Sequence, residues 1–269
     1  MRTGSVNSSV QGISHGSQTE NRSRDYKHSD GQILVVGLGP GDRDFLTGRA
    51  FKAITSASVV VGYSKYLDLI ADLIQDKTVL RSGMKKEVER ARAALDYALQ
   101  GQTVAVVSSG DPGVYGMAGI VLEIAKDQVR VEVIPGVTAA TAAAAVLGAP
   151  IVHDFAVISL SDLLTPMEKI IKRLEAAARG DFVVIIYNPR SKGRPDHIIK
   201  ARDILLTYKD PQTPVGIVRN AMRGKEDKMI TTLKDMPIES IDMQTIVVIG
   251  NTETRIEQGR LITPRGYHI

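Results

Sequence analysis

Short, almost continuous apolar runs alternate with helix-like segments along most of this chain. Four strand-like runs lie in the first half, at 33–38, 57–61, 103–107 and 129–134. A strand that is apolar throughout is buried on both faces, which is typical of a parallel sheet covered by helices. The sequence therefore predicts an α/β protein. Its 269 residues, 43% of them hydrophobic, suffice for two domains with separate cores.

A change of pattern at 148–154, where glycine, proline, histidine and aspartate interrupt the runs, indicates a domain boundary. We expect an N-terminal α/β domain over 31–150 with a parallel sheet, and a C-terminal α/β domain over 151–269. In the second half, two strand-like runs have little helix between them, which predicts a mixed sheet. A cleft is expected between the domains. Residues 1–30, rich in polar side chains, are expected to be a disordered leader.

Helix signals are present in both halves. Helices are predicted over 43–56, 66–75, 85–100 and 137–147 from apolar residues at helical spacing. In the second half, Thr165-Pro166-Met167-Glu168 has the form of a capping box with proline at the first helical position. This motif predicts a helix that begins there.

The composition excludes several kinds of chemistry. Without cysteine the chain cannot form disulfides, thiolate nucleophiles or cysteine-ligated zinc and iron–sulfur sites. The five histidines lack metal-ligand spacing, so no metal site is predicted; they are His15, His28, His153, His197 and His268. A net charge of +4 is too small to indicate nucleic acid, but it suits an anionic substrate. No apolar run has the length of a membrane span, and a cytoplasmic protein is expected.

A glycine-rich loop follows the first apolar run, with Gly37, Gly39 and Gly41. It is similar to the dinucleotide-binding fingerprint, but the third glycine of that motif would fall where Asp42 stands. A carboxylate there would repel a pyrophosphate. The second run also ends without an acid to bind a ribose hydroxyl. The loop therefore suits a ligand other than a phosphate, or simply forms a tight turn with Asp42 as N-cap.

Three further loops follow predicted strands, at the edge where α/β proteins bind ligands. The first, at 108–116, contains hydroxyls, Asp111 and small residues, and either faces a ligand or forms a turn capped by Asp111. The second, at 135–140, begins an alanine-rich helix whose free N–H groups would face the cleft, unless the alanines serve only close packing.

The third loop, at 187–194, carries the three cations Arg190, Lys192 and Arg194. Such a cluster is usually solvated surface, but its place after a buried strand favours contact with substrate carboxylates. A weaker form of the same argument applies to residues 219–225, where Arg219, Arg223 and Lys225 occur.

Taken in order, these motifs resemble the tetrapyrrole methylase family, the class III S-adenosylmethionine-dependent methyltransferases of corrin synthesis. The residues that carry the resemblance are Val36-Gly37-Leu38-Gly39-Pro40-Gly41-Asp42, Ser108-Ser109-Gly110-Asp111-Pro112-Gly113 and Pro135-Gly136-Val137-Thr138-Ala139-Ala140. Within the family, the chain is most similar to enzymes that methylate C17 of precorrin-3B or of its cobalt counterpart. That similarity lies in His153-Asp154-Phe155, the segments 159–164 and 187–191, and the tail 263–267. The resemblance runs from about Gln32 to the C-terminus.

The resemblance implies two α/β domains around a cleft, a homodimer, and S-adenosylmethionine as cofactor. It implies cofactor contacts at Pro40, Gly110, Asp111, Val114, Tyr115, Thr138, Ala139, Asn188 and Ala221. Gly39, Gly41 and Asp42 would lie nearer the tetrapyrrole. Four cations would clamp the carboxylates of that substrate, namely Arg190, Lys192, Arg194 and Arg265.

The implied function is methylation of precorrin-3B or cobalt-precorrin-3 at C17, coupled to ring contraction in cobalamin biosynthesis. A sulfonium is already an activated methyl donor, so transfer needs alignment rather than a protein nucleophile, in keeping with a chain that lacks cysteine. Ring contraction needs proton transfers. The candidate catalytic residues are Asp111 and His153, and His153 is the weaker because a histidine at a domain boundary is more often structural.

Two alternatives stay open. One is another precorrin C-methyltransferase of the same superfamily, acting at a different carbon. The other is a non-catalytic nucleotide- or RNA-binding α/β protein, although 4% aromatic residues and no tryptophan count against base stacking. The sequence does not decide whether the macrocycle carries cobalt, and the cobalt form is only slightly favoured.

Overall fold

Five parallel strands form the first sheet of the computed structural model, which describes residues 30–267. The expected leader at 1–30 therefore lies, except for its last residue, outside the described residues. The strands are β1 (Gln32–Gly37), β2 (Val59–Tyr63), β3 (Thr78–Ser82), β4 (Thr103–Ser108) and β5 (Arg130–Ile134). Their order across the sheet is β3-β2-β4-β1-β5. Because the strands are largely apolar, both faces need helical cover.

Helices cover this sheet on both faces. They are α1 (Gly48–Ser56), α2 (Ser64–Asp68), α3 (Glu87–Leu99) and α4 (Ala118–Ala125). One core joins α1 and α2 to the face that carries Leu34 and Val36, and another joins α3 and α4 to the face of Ile33 and Val35. Successive strand residues point to opposite faces, which is why one apolar run supplies both cores.

A helix and a short strand lead to the second sheet. They are α5 (Ala139–Leu147) and β6 (Gly148–Ala149). The sheet consists of β7 (Phe155–Ser159), β8 (Val183–Tyr187), β9 (Pro214–Arg219), β10 (Asp227–Thr232) and β11 (Thr245–Ile249). Its order is β10-β9-β11-β8-β7; β7 and β8 are parallel, and the other neighbours are antiparallel. The predicted fold class, a parallel sheet followed by a mixed one, is confirmed.

The second sheet is also covered on both faces. Helices α6 (Met167–Arg179) and α7 (His197–Leu206) pack on one face. Helix α5 packs on the other through Ala140, Ala143 and Leu147, although it precedes the domain boundary placed at residue 150. That boundary stays a prediction. Two final strands, β12 (Arg255–Glu257) and β13 (Arg260–Ile262), form a hairpin, and β13 pairs with β6 at the junction between the halves.

Several local predictions were wrong. The helix expected at 43–56 is divided into a 3₁₀ turn (Arg43–Phe45) and α1, because Thr47 caps α1 by accepting a hydrogen bond from the Ala50 N–H (3.1 Å). The helix expected at 66–75 is likewise α2 followed by a 3₁₀ turn (Ala71–Leu73). The capping box is absent, because Pro166 itself is the N-cap of α6 and no side chain bonds to the helix there. Strands β3, β6, β12 and β13 have no counterpart among the predicted elements.

The sequence contains no apolar run long enough to span a membrane. Between residues 30 and 267, no helix is both long and apolar enough to cross a bilayer.

Three loops of the first half cross at a point where each contributes a glycine. A Cβ atom on Gly136 would lie 2.3 Å from the Gly110 carbonyl oxygen, and one on Gly37 would lie 2.6 Å from the Gly136 nitrogen. These are backbone atoms, so they cannot move aside as a flexible side chain does. The crossing therefore requires glycine and fixes how the ends of β1, β4 and β5 meet.

We predict that Gly136→Ala lowers the free energy of unfolding by about 3 kcal/mol, because the added methyl group overlaps the Gly110 carbonyl. Urea unfolding followed by circular dichroism measures the effect. Gly119→Ala is the matched control: Gly119 is an exposed residue of α4, and an added methyl group there would meet no atom within 4 Å. This second change is expected to stabilise the protein by about 0.5–1 kcal/mol. Equal stability of the two variants would contradict the packing described.

Candidate active site

The order of the first sheet reverses between β1 and β4. From β1 the chain crosses to β2 on one side, and from β4 it crosses to β5 on the other. Ligands of open α/β sheets bind outside the carboxyl ends of strands at such a point. The loops after β1 and β4 are held together by two hydrogen bonds, Gly39 N–H to Gly110 O (3.1 Å) and Gly110 N–H to Gly39 O (2.7 Å).

The Asp111 carboxylate ties two of these loops together. Its Oδ1 accepts a hydrogen bond from the Gly113 N–H (2.8 Å), and its Oδ2 accepts one from the Gly136 N–H (3.0 Å). The first bond closes a turn within the loop after β4, and the second reaches the loop after β5. Asp111 thus both stabilises its own turn, as one alternative predicted, and lines the cavity described below. Each carboxylate oxygen already has a backbone donor.

Two tyrosines connect the halves of the molecule. The Tyr115 hydroxyl, from the loop after β4, donates to the Val157 carbonyl (3.1 Å) and accepts from the Ser159 N–H (3.0 Å), both on β7. The Tyr187 hydroxyl, at the end of β8, bonds to Thr138 Oγ1 and the Ala140 N–H, each at 2.7 Å. The two rings are in contact, with centroids 5.4 Å apart. Burial raises the pKa of Tyr187, so its hydroxyl stays protonated at neutral pH.

Backbone strain accompanies this arrangement. Tyr115 has φ = 54° and Asn188 has φ = 51°, a region that residues other than glycine rarely adopt. Asn188 is held there by a hydrogen bond from its Nδ2 to Ser159 Oγ (2.9 Å). Such strained positions cluster at ligand sites, because surrounding contacts must hold them in place.

Between the two sheets lies a cavity of about 830 Å³, within the usual range for small-molecule sites. The carboxyl ends of β4, β8 and β9 all lead into loops on its wall. Every residue for which the sequence predicted a cofactor contact lines it, namely Pro40, Gly110, Asp111, Val114, Tyr115, Thr138, Ala139, Asn188 and Ala221. Their contact with a cofactor remains a prediction.

The predicted substrate residues are placed less uniformly. Arg190 and Lys192 line the cavity, and Arg190 is paired with Glu239 at 2.7 Å. Arg194 lies behind the wall: its Nη2 is 3.7 Å from the sulfur of the lining residue Met243. Its Nη1 is buried without a hydrogen-bond partner in the described part of the chain. Arg265 is exposed and is not part of the cavity wall.

Gly39, Gly41 and Asp42 do not line the cavity either. Gly39 is engaged with Gly110, and Asp42 caps the 3₁₀ turn by accepting a hydrogen bond from the Asp44 N–H (3.1 Å). The N-cap interpretation of Asp42 is confirmed for this short turn.

His153 lies away from the cavity. Its ring is exposed, and Nδ1 accepts a hydrogen bond from the N–H of the adjacent Asp154 (2.8 Å). The structure therefore brings Asp111, but not His153, to the cavity wall.

Sequence reasoning missed one wall of the cavity. It is formed by the end of β2, by α2 and by the loop after β3, through Tyr63, Lys65, Tyr66 and Met84. Burial raises the pKa of Tyr66, partly offset by the nearby Arg223 cation. The signal in the sequence is weak, because the apolar residues of 66–75 have the spacing of one continuous helix and β3 is only partly apolar.

Comparison with known proteins decides the family. Residues 32–237 match the family model of the Tetrapyrrole (Corrin/Porphyrin) Methylases. This chain belongs to that family. The methylases of the family use S-adenosylmethionine, so the chain is an S-adenosylmethionine-dependent methyltransferase, and the predictions of family, enzyme class and cofactor are confirmed.

Similar proteins extend over nearly the whole described region. A "Probable cobalt-factor III C(17)-methyltransferase" of Salmonella typhimurium is 50% identical over 238 residues, which cover 87% of this chain and 99% of the relative. The crystal structure of the methyltransferase CobJ has a TM-score of 0.83 and 39% identity, covering 87% of this chain and all of that one. The uroporphyrin-III C-methyl transferase of Thermus thermophilus, complexed with S-adenosyl homocysteine, has a TM-score of 0.63 and 26% identity, covering 82% and 97%.

We predict that Tyr187→Phe lowers the free energy of unfolding by about 1–3 kcal/mol, because the Ala140 N–H and Thr138 lose their partner in a half-buried position. Chemical unfolding of the purified variant measures it. In the control, Tyr208→Phe removes a hydroxyl that bonds exposed Arg179 (2.9 Å), and we expect a change below about 0.5 kcal/mol. A Tyr187→Phe variant as stable as the control would show that the hydroxyl does not hold β8 to α5.

Proposed function

We propose that this protein methylates C17 of a cobalt-containing tetrapyrrole, in a reaction coupled to ring contraction during cobalamin biosynthesis. The observation that carries the proposal is the relative named as a cobalt-factor III C(17)-methyltransferase, half identical to this chain over 99% of its own length. That name also supports the cobalt form of the substrate over the metal-free one. The predicted subfamily motifs at 153–155, 159–164 and 187–191 lie within the matched region of the family.

The first-half loops fit S-adenosylmethionine as their ligand. Eight residues of the loops after β1, β4 and β5 line the cavity, and none of them is basic: Pro40, Ser109, Gly110, Asp111, Val114, Tyr115, Thr138 and Ala139. A wall without lysine or arginine suits a molecule that has no phosphate. When bound, S-adenosylmethionine supplies a methyl group on a positively charged sulfur, and the Asp111 carboxylate is compatible with such a cation.

The second-half loops complete the site on the side of the anionic substrate. Arg190, Lys192 and Arg223 line the cavity there, and Lys65 adds a cation from α2. Three of these four cations come from the second half, and Arg223 extends from there to Ser109 in the loop after β4. Positioning donor and acceptor next to each other in one enclosed volume is the main contribution that a methyl transfer needs from the protein.

Proton transfer during ring contraction remains without an assigned residue pair. Both oxygens of Asp111 accept backbone hydrogen bonds, so we infer that its carboxylate holds the two loops in place. His153 is directed to its own neighbour instead of the cavity. Tyr66 also lies on the wall, and because burial raises its pKa the hydroxyl stays protonated and can donate a hydrogen bond there.

Assembly and location belong to the proposal as well. A homodimer is supported by the family resemblance, and a second copy would cover apolar side chains such as Leu163 and Leu164, which are 61% and 93% exposed. A cytoplasmic location remains a prediction.

The test is anaerobic incubation with S-adenosylmethionine carrying an isotopically labelled methyl group, with cobalt-factor III and with metal-free precorrin-3B as separate substrates. We expect one labelled methyl group in the cobalt product, located at C17 by NMR. Labelling of precorrin-3B alone would reverse the assignment of the metal, and labelling at another carbon would favour the alternative precorrin methyltransferase. Calorimetry that shows tight NAD binding and no S-adenosylmethionine binding would contradict the proposal altogether.

The same assay with Asp111→Asn separates the two roles of that residue. The asparagine amide places its own N–H group against one of the two backbone N–H donors that Asp111 binds. If Asp111 holds the two loops together, S-adenosylmethionine binding should weaken by about tenfold or more and thermal stability should fall. Full cofactor affinity with lost turnover would instead assign Asp111 to proton transfer.

A further inference from the structure

Arg223 is a half-buried cation on the cavity wall without a carboxylate partner. No Asp or Glu oxygen between residues 30 and 267 lies within ion-pair distance of its guanidinium, whereas Arg190 is paired with Glu239 and Arg219 with Asp242. Burial lowers the pKa of Arg223, and the group that opposes this effect is the nearby Tyr66 hydroxyl rather than a carboxylate. A half-buried cation without a carboxylate partner destabilises the folded protein unless another group, such as a bound ligand, neutralises its charge.

The side chain of Arg223 reaches from the second half to the loops of the first. A Cβ atom on Gly41 would lie 3.2 Å from its Nε and 3.5 Å from its Cζ, so the guanidinium lies directly against the glycine loop. Its Nη2 donates to Ser109 Oγ at 3.3 Å, in the loop after β4. A guanidinium has five N–H donors, and this weak bond uses one of them. The remaining donors are available to a ligand in the cavity.

The segment that carries Arg223 is strained. Asn220, Met222 and Lys225 have φ values of 52°, 52° and 66°, all in the left-handed region. Local bonds hold them there, including Arg223 N–H to Asn220 O (3.1 Å) and Met222 N–H to Glu226 Oε2 (2.7 Å). Strain of this kind is often found at ligand sites, where surrounding contacts hold a side chain in place.

We propose that Arg223 is the positioning residue that binds one acidic side chain of the macrocycle and sets it against the glycine loop. This inference rests on the proposed function, since it takes the ligand to be a polycarboxylated tetrapyrrole. Arg223 differs from the four predicted clamp residues: Arg190 already has an acid, Arg194 is behind the wall, Arg265 is outside it, and Lys192 lines the cavity but lacks a planar guanidinium. A carboxylate bound by two parallel N–H donors is fixed in orientation as well as in place, which a lysine does not provide.

A purely structural role is the competing explanation. In that case Arg223 would serve as a latch between the halves, through Gly41 and Ser109. Loss of a latch would lower thermal stability and weaken both ligands together, whereas loss of a carboxylate anchor affects only the acidic ligand.

The experiment measures binding of uroporphyrin III, a porphyrin with acetate and propionate side chains, by fluorescence quenching, and binding of S-adenosylmethionine by calorimetry. For Arg223→Gln we expect uroporphyrin affinity to fall by about 10- to 100-fold, with S-adenosylmethionine affinity and melting temperature close to those of the wild type. The loss should shrink at high salt, because the missing interaction is ionic. Arg223→Lys should restore part of the affinity, since it keeps the charge without the planar fork.

Arg255→Gln is the matched control, because Arg255 is an exposed arginine that is paired with Glu257 and does not line the cavity. It should leave both affinities unchanged. Uroporphyrin affinity of Arg223→Gln equal to that of the wild type, equal loss of both ligands, or a wild type that binds S-adenosylmethionine but no uroporphyrin would each overturn the role of Arg223. A wild type that binds no S-adenosylmethionine would contradict the proposed function itself.

Discussion

The close crossing of three loop backbones is the constraint on which the site depends. Gly37, Gly110 and Gly136 approach so closely that a Cβ atom on the first or the last would overlap main-chain atoms. The Asp111 carboxylate then bonds across the crossing, from its own loop to the Gly136 N–H. Because the close approaches are between backbone atoms and the Asp111 bond reinforces them, the arrangement of these three loops is set before any ligand arrives. A preformed site of this kind lowers the entropic cost of ordering ligand-binding loops.

Polar contacts, in addition to apolar packing, attach the second half to these loops. Tyr115 reaches β7 from one side, and Tyr187 reaches the start of α5 from the other, with their rings in contact between them. Helix α5 begins next to the loop crossing and packs on the second sheet, so this one helix connects the first-half loops to the second half. The cavity is therefore enclosed by groups whose separation is fixed by hydrogen bonds, and most of its cations come from the second half.

Sequence reasoning located the loops well and their detailed contacts poorly, for physical reasons. Glycine, proline and aspartate at the ends of apolar runs indicate turns at strand ends, and parallel strands bring those turns to one edge. The nine cofactor contacts came from the family resemblance instead, and the residues it names all line one cavity. The hydrogen-bond partners of the Tyr187 hydroxyl could not be predicted in this way. They depend on how β8 packs against α5, and the local sequence around Tyr187 does not contain that information. The same holds for His153, whose position at a domain junction says nothing about which way its ring faces. Charge clusters were equally ambiguous until ion pairs distinguished Arg190 from Arg223.

Backbone hydrogen exchange, measured by mass spectrometry with and without S-adenosylmethionine, tests most directly the central claim that loops from both sheets form one cofactor site. We predict slower exchange on cofactor addition at three separate segments, 110–115, 138–140 and 187–189, with little change on the outer helices α6 and α7. Protection confined to a single one of these segments, or found mainly on another surface, would contradict that claim.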